Sequence, residues 1–183
     1  MEESIRDDDA KTAKVDDRYL IEVSENMPSL GQCYEFVEDP CCGAISSFVG
    51  VTRDNFNGKQ VAKLSYEGYV PMAKKELHKL CDDATAQFPS VAKIAAVHIL
   101  GDCPVGKASV ILCASSPHRM ESIHCVEFLI NELKARIPIW KREVYEGDDA
   151  GSVWKENMEW KEGRRQRVMI KEQNTTNDDV AKA

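Results

Sequence analysis

Residues 115–145 read SSPHRMESIHCVEFLINELKARIPIWKREVY, and this stretch predicts one helix followed by one strand. Ser115 or Ser116 is suited to cap the helix, and Pro117 is suited to its first turn. The helix is expected to end near Arg136. Its apolar residues recur at helical spacing, which predicts a face packed on the core: Ile123, Val126, Leu129, Ile130 and Leu133.

The second half of the stretch, IPIWKREVY, has the β-branched and aromatic composition of a strand. Pro138 disfavours helical backbone at the residue before it, so the helix is expected to stop there. Because a strand alternates its faces, Lys141 and Glu143 are expected on one side. Trp140 and Arg142 are expected on the other.

Positive charge is concentrated at both ends of this unit. His118 and Arg119 lie at the predicted first turn, where free N–H groups and the helix dipole favour an anion. Between residues 134 and 142 there are four cations and no acid, although the chain has a net charge of -7: Lys134, Arg136, Lys141 and Arg142. The pattern indicates a local anion site.

Two interpretations of the lysines remain open at this point. Lys134 and Arg136 could simply complement the dipole in a last helical turn. Lys134, however, follows Ile130 by four residues and so continues the edge of the buried stripe. Lys134 and Lys141 near a core edge could bind a phosphate or transfer a proton, and burial would lower their pKa values.

The whole chain predicts one domain, at residues 19–160, between disordered tails at residues 1–18 and 161–183. A net charge of -7 argues against broad nucleic-acid or membrane-surface binding. The acidic N-terminal residues resemble neither a signal peptide nor a transit peptide. We therefore expect a cytosolic protein.

The remaining elements predict an α+β fold with two long helices and a mainly antiparallel sheet. Residues 43–67 are expected to form a hairpin with a long tip. The other predicted strands are residues 18–23, 91–100 and 108–114, and the other predicted helices are residues 28–37 and 71–88.

The seven cysteines are scattered and contain no C-x-x-C pair, which is typical of reduced, small apolar residues. Adjacent Cys41 and Cys42 suggest a redox or metal site, but no nearby histidine or cysteine completes a ligand set. A metal enzyme is a further alternative, although the spacing of its conceivable ligands fits no known site: His98, Cys103, His118 and His124.

Five segments, in this order, are similar to the large, catalytic subunit of the molybdopterin synthase family: GAISSFVGVTRDNFNGK, LSYEGYVPMA, HILGDCPVGKASV, SSPHRMES and LKARIPIWKREVYEG. The resemblance implies an α/β hammerhead fold and a dimer that holds one small ubiquitin-like subunit on each protomer, a heterotetramer. It also implies sulfur transfer from the small subunit's C-terminal Gly-Gly thiocarboxylate to cyclic pyranopterin monophosphate. No resident metal or cofactor is implied.

Carried over by position, Lys134 and Lys141 match the two essential lysines of that family. Its substrate-contacting positions match five further residues: Arg53, His118, Arg119, Arg142 and Glu143. The chemistry suits these residue types, because opening a cyclic phosphate and expelling water require phosphate binding and protonation of leaving oxygens.

Helix geometry adds a constraint. Sixteen residues of helix separate His118 from Lys134, roughly 24 Å, and one pterin cannot bridge that distance. We therefore expect His118 and Arg119 of one protomer to complete the pocket around the lysines of the other. A broken helix, or a structural role for His118 and Arg119, is the alternative.

Two other functions remain possible on sequence grounds. One is a non-catalytic module of the same fold that binds a phosphorylated metabolite at the helix N-terminus. The other is a scaffold whose cations dock an acidic partner. Substitution of Lys134 and Lys141 would then change binding alone.

Overall fold

The computed structural model of the chain describes residues 17–146 and 153–155. The predicted tails lie almost entirely outside the described residues. The domain boundaries therefore stay predictions. Among the described residues, no helix combines the length and apolar character needed to cross a bilayer.

The helices are α1 (Leu30–Val37), α2 (Val70–Gln87) and α3 (Arg119–Arg136). The strands are β1 (Tyr19–Ser24), β2 (Ala44–Val51), β3 (Asn55–Phe56), β4 (Lys59–Gly68), β5 (Lys93–Ile99), β6 (Gly101–Pro104), β7 (Ala108–Ser116), β8 (Ile139–Tyr145) and β9 (Val153–Lys155). β1, α1, β2, α2, β5, β7, α3 and β8 lie where the sequence predicts strands and helices.

One sheet has the strand order β1-β5-β7-β2 and is covered on both faces. β1 and β5 are parallel, and the other pairs are antiparallel. Strand alternation divides the core in two: Ile94 and Ala96 pack in the cluster with α2 and α3, whereas Ala95 and Val97 pack in the cluster with α1. The predicted inward residues of α2 are fully buried: Leu77, Leu80, Cys81 and Ala84.

The other sheet is antiparallel, with the order β3-β4-β8-β9 and with β6 also paired to β4. Asn57 and Gly58 make the turn between β3 and β4 at φ values of 49° and 76°. Asn and Gly tolerate this left-handed backbone better than other residues. Two long helices and mainly antiparallel sheets confirm the predicted α+β class.

The hairpin predicted at residues 43–67 is wrong. β2 pairs with β7 in the first sheet, whereas β4 pairs with β3, β6 and β8 in the second. Both strands are apolar enough to be recognised, but apolar character does not select a partner strand. Between β2 and β3 the chain crosses from one sheet to the other, and this crossing contains Arg53.

The predicted start of α3 also needs correction. Ser115 and Ser116 are buried in β7, opposite Ile45 and Ala44 of β2, so the strand ladder holds them before the helix begins. His118 occupies the cap position, without a side-chain cap bond. The prediction that Ile123 faces inward is wrong as well, since it is 46% exposed. The buried stripe is rotated toward Ser122, Cys125, Val126, Leu129 and Leu133.

Candidate active site

A cavity of about 570 Å³ is lined by residues from both sheets and from α3. Arg53, Lys134 and Lys141 line it, and no carboxylate among the described residues does. Most of the other lining side chains are apolar: Phe48, Val49, Val51, Val110, Ile130, Leu133, Ile137 and Ile139. The cavity has the size and apolar walls of a small-molecule site, and its cations suit an anionic ligand.

Three different elements supply the cations. Lys134 lies in the last turn of α3, and Lys141 lies on β8 opposite Tyr66 of β4. Arg53 lies in the crossing between the two sheets. Residues far apart in sequence thus converge on one space, and the structure brings together three of the cations that the resemblance selected from separate motifs.

Glu143 forms an ion pair with Lys141. Its side chain is 2% exposed, and its Oε1 lies 3.4 Å from Lys141 Nζ. The Tyr145 hydroxyl donates a hydrogen bond to the other carboxylate oxygen at 2.5 Å. Glu143 does not line the large cavity, but it lines an adjoining one of about 180 Å³ together with Arg53 and Lys141. The carboxylate is therefore placed to fix the position of Lys141.

Uncharged polar groups complete the lining of the large cavity. His98, on β5, is 6% exposed, and its Nδ1 lies 2.7 Å from the carbonyl oxygen of Ile99. The Tyr66 ring meets the His98 imidazole edge-on, with 4.9 Å between ring centroids. The Ser109 hydroxyl donates to the carbonyl oxygen of Gly50 at 3.2 Å. Burial raises the pKa of Tyr66, which keeps its hydroxyl protonated.

Three of the predicted site residues do not line either cavity. His118 and Arg119 are exposed at the N-terminal end of α3, far from Lys134 at the other end. Arg142 points away from Lys141 and Glu143, as the predicted alternation requires. It contributes with Lys63, the larger cause, to lowering the pKa of Asp102.

The family model described as "MoaE protein" matches residues 23–136. The match includes Arg53, His118, Arg119 and Lys134. The chain belongs to the MoaE family. This confirms the resemblance that the sequence motifs indicated.

Members of the MoaE family that are similar to this chain carry a specific name. The molybdopterin synthase catalytic subunit of Taeniopygia guttata is 48% identical over 140 residues, which are 76% of this chain and 88% of that protein. The subunit of Drosophila willistoni is 47% identical over 139 residues, again 76% of this chain but 37% of that longer protein. The chain thus spans little more than a third of the fly relative.

Solved MoaE structures share the fold. The crystal structure of molybdopterin synthase from Staphylococcus aureus is similar with a TM-score of 0.69 and 31% identity, over 73% of this chain and 95% of that one. A protein complex of subunits 1 and 2 of molybdopterin-converting factor from Helicobacter pylori matches with a TM-score of 0.59 and 22% identity, over 76% and 91%. The latter likeness concerns the fold.

The two lysines of this MoaE chain are less buried than the sequence suggested. Lys134 is exposed, and the Lys141 side chain is 40% exposed. The Lys134 side chain, on the last turn of α3, lines the cavity and is not packed in the core. Burial by this chain alone therefore does not desolvate either ammonium group.

The cysteines behave as expected for structural residues. All seven are free, and five of them are buried. Burial raises the pKa values of Cys113 and Cys125 to about 12, so both thiols stay protonated. None of the seven lines the large cavity.

Metal binding finds little support among the described residues. His98, Cys103, His118 and His124, the conceivable ligands proposed from the sequence, do not form a cluster in the described fold. The potential ligands that do lie close together are Asp39, Cys41 and Cys42. Lys93 Nζ lies 3.6 Å from the Asp39 carboxylate, which competes with a cation. Hydrogen bonding to Asp39 raises the pKa of Cys41 to about 11, which disfavours the thiolate.

Sequence reasoning missed Tyr66, Ser109 and the position of His98. His98 had been considered only as a remote metal ligand. The signal was present, because His98 is the one polar residue inside the otherwise apolar run IAAVHI. A polar side chain in a buried strand needs a partner or a function. Its position beside the lysines depends on strand pairing that the sequence does not show.

Proposed function

We propose that this chain is the catalytic subunit of a molybdopterin synthase. In this function it transfers sulfur from the C-terminal thiocarboxylate of a small ubiquitin-like subunit to cyclic pyranopterin monophosphate, in two rounds that create the dithiolene of molybdopterin. Membership of the MoaE family and the names of the finch and fly relatives support this sulfurtransferase function.

The observation that carries the proposal is the cavity that is lined by Arg53, Lys134 and Lys141 and by no carboxylate from the described part of the chain. Both reactants are anions, since one bears a cyclic phosphate and the other a thiocarboxylate. The apolar wall suits the flat pterin ring, and the cations suit the phosphate. A cavity with this lining attracts both reactants in a chain that is acidic as a whole.

The proposed chemistry assigns a role to each cation. The thiocarboxylate sulfur attacks a side-chain carbon of the pterin, a C–S bond forms, and the C–O bond to the cyclic phosphate breaks. Arg53 stabilises the charge that the released phosphate oxygen acquires. Lys134 and Lys141 protonate leaving oxygens, including the one that departs as water in the later step. Water also cleaves the acyl–sulfur bond, which releases the small subunit as a carboxylate.

Lys141 and Lys134 have different surroundings, which suits different roles in the reaction. Lys141 is held by its ion pair with the buried Glu143, whereas Lys134 is exposed on the last turn of α3. Entry of the partner's tail would cover both ammonium groups and exclude water from them. Covering strengthens their interaction with the developing charge, because electrostatic interactions are stronger where water is excluded.

The assembly belongs to the same proposal. One small subunit binds each protomer, and two copies of this chain form the centre of a heterotetramer in the cytosol. The Helicobacter pylori relative of similar fold, solved as a complex of two subunits, fits this arrangement. His118 and Arg119 then reach the cavity of the other protomer. Arg142 remains a predicted substrate contact, although its side chain lies on the face of β8 opposite to Lys141.

The alternative is a non-catalytic module that binds a phosphorylated metabolite, or a scaffold. The three converging cations argue for chemistry, since simple binding gives no reason for Glu143 to be buried under Lys141. Turnover separates the two functions directly.

The test is conversion of cyclic pyranopterin monophosphate to molybdopterin by this chain with a thiocarboxylated small subunit. Lys134→Ala and Lys141→Ala should each lower turnover by about 100-fold or more, because each removes a proton donor. Lys75→Ala, an exposed lysine on α2, is the matched control and should keep full activity. Gel filtration checks that each variant still binds the small subunit. No product from a well-formed wild-type complex would contradict the proposal.

A further inference from the structure

His98 is a buried polar residue with one of its two ring nitrogens committed. Nδ1 lies 2.7 Å from the carbonyl oxygen of Ile99. A carbonyl oxygen only accepts hydrogen bonds, so Nδ1 bears the proton of the neutral ring. Nε2 is then an acceptor with a lone pair in the plane of the imidazole.

No described residue donates a hydrogen bond to Nε2. The described fold contains a few side-chain nitrogen and oxygen atoms that are fully buried without a hydrogen-bond partner, and Nε2 is not one of them. Nε2 therefore keeps some accessible surface. His98 lines the large cavity, so its remaining accessible surface faces that space. The edge-on contact with Tyr66, at an interplanar angle of 77°, fixes the orientation of the imidazole.

The neighbours of His98 in the cavity are mainly hydrogen-bond donors. Arg53, Lys134 and Lys141 only donate, and the Ser109 hydroxyl already donates to Gly50. Burial lowers the pKa of His98 to about 4, so the ring stays neutral at pH 7. A fixed acceptor is thus placed among groups that suit phosphate and carboxylate.

We propose that His98 contacts the substrate directly, its Nε2 accepting a hydrogen bond from an N–H or O–H group of the bound heterocycle. This inference rests on the proposed function. The phosphate binds at the cations, and the ring donor binds at His98, so two contacts of opposite polarity fix which way the ring lies. An analogue without a donor at that position loses this contact and leaves Nε2 without a partner.

Two amide substitutions separate this function from a structural one. Asn places its amide near the position of Nδ1, so His98→Asn keeps a donor for Ile99 and loses the acceptor. Gln reaches the position of Nε2, so His98→Gln offers an acceptor to the substrate. Calorimetric titration of cyclic pyranopterin monophosphate into the complex with an unactivated small subunit measures binding without reaction.

We expect His98→Asn to weaken substrate binding about tenfold, the loss of one hydrogen bond. His98→Gln should restore most of the affinity, which a merely structural role would not predict. His78→Asn, an exposed histidine on α2 that pairs with Asp82, is the matched control and should bind normally. Equal affinities for wild type and both His98 variants would overturn the inference.

A second measurement uses the unaltered chain and so does not depend on the folding of a variant. In protein with ¹⁵N-labelled histidine, the Nε2 resonance of His98 should show an unprotonated nitrogen and should shift on addition of substrate. A resonance that does not move at saturation would also overturn the inference. If wild type neither binds the substrate nor makes product, the proposed function fails and this inference fails with it. If the lysine variants lose turnover while the His98 variants bind normally and the His98 resonance does not shift, the proposed function stands and only the contact is wrong.

Discussion

At the scale of single residues, burial fixes the charge of His98. Desolvation lowers its pKa from 6.5 to about 4, and the hydrogen bond to Ile99 opposes this shift only in part. The unfolded chain therefore binds one more proton than the folded chain between these two pH values. Folding stability contributed by His98 is complete above pH 6.5 and decreases as the pH falls toward 4.

This difference in proton binding predicts a pH dependence of the unfolding free energy that His98→Asn removes. Between pH 7 and pH 4.5, wild type should lose about 2–3 kcal/mol of unfolding free energy more than His98→Asn does. The cavity cations Arg53, Lys134 and Lys141 are present in both proteins, so they do not produce the difference. Urea denaturation of both proteins at the two pH values measures it, and parallel losses would contradict it.

The predicted site residues that stand out in the sequence are those with unusual chemistry in a recognisable setting. Lys134 and Lys141 stand out because they are cations beside an apolar stripe and in an apolar strand. Tyr66 and Ser109 do not stand out, because tyrosine and serine are ordinary strand residues. Their function depends on which strand faces the cavity, and that information lies in tertiary pairing rather than in local pattern.

At the scale of elements, close packing of β2 against β7 shapes the cavity wall. Gly50 lies opposite Val110, and a Cβ added to Gly50 would lie 2.6 Å from Val110 Cγ1 and 3.3 Å from Phe48 Cε1. Both neighbours line the cavity. Only a residue without a side chain allows the two strands this approach.

Gly50→Ala should therefore destabilise the chain by about 1–3 kcal/mol, through overpacking. Adding Val110→Ala should recover part of that loss by removing the methyl group that clashes. Gly31→Ala is the control, because its Cβ would meet only Ser29 Oγ at 3.8 Å inside α1, where alanine is favoured over glycine. The midpoints of urea unfolding compare the variants. A Gly50→Ala protein as stable as wild type would show that β2 and β7 adjust freely.

Helices were easier to predict than strand partners for a physical reason. A helix is closed by bonds four residues apart, so the apolar period of α2 and α3 contains nearly all the information needed. β2 and β4 can each be recognised as a strand from the sequence, yet the sequence does not show that they pair with strands far along the chain. The short β6 lies between the predicted strands 91–100 and 108–114 and is not predicted itself, because its pairing with β4 is the feature that makes it a strand.

At the scale of the whole molecule, the unbroken helix α3 keeps its two functional ends apart. It runs from Arg119 to Arg136 without interruption, which removes the alternative that the helix breaks. His118 and Lys134 thus remain roughly 24 Å apart along the axis, so one protomer cannot place both on one small ligand. A site shared across a two-fold dimer satisfies this distance.

Mixing two inactive proteins tests the shared site. In a mixed dimer of Lys134→Ala and Arg119→Ala chains, one site has both defects and the other has neither. Random exchange at equal amounts should therefore restore about a quarter of wild-type turnover. Lys134→Ala mixed with Lys141→Ala is the control, because each of its sites still lacks one lysine. No recovery after subunit exchange, verified by mass spectrometry, would refute the shared site.

The crossing between the two sheets also determines when the cavity comes into being during synthesis. Arg53 leaves the ribosome early, but it meets Lys141 only after α2, β5, β7, α3 and finally β8 have emerged. Until that last strand pairs with β4, one wall of the cavity is missing and its cations are separated. The cavity is therefore completed late, and a nascent chain that stops short of β8 does not contain it.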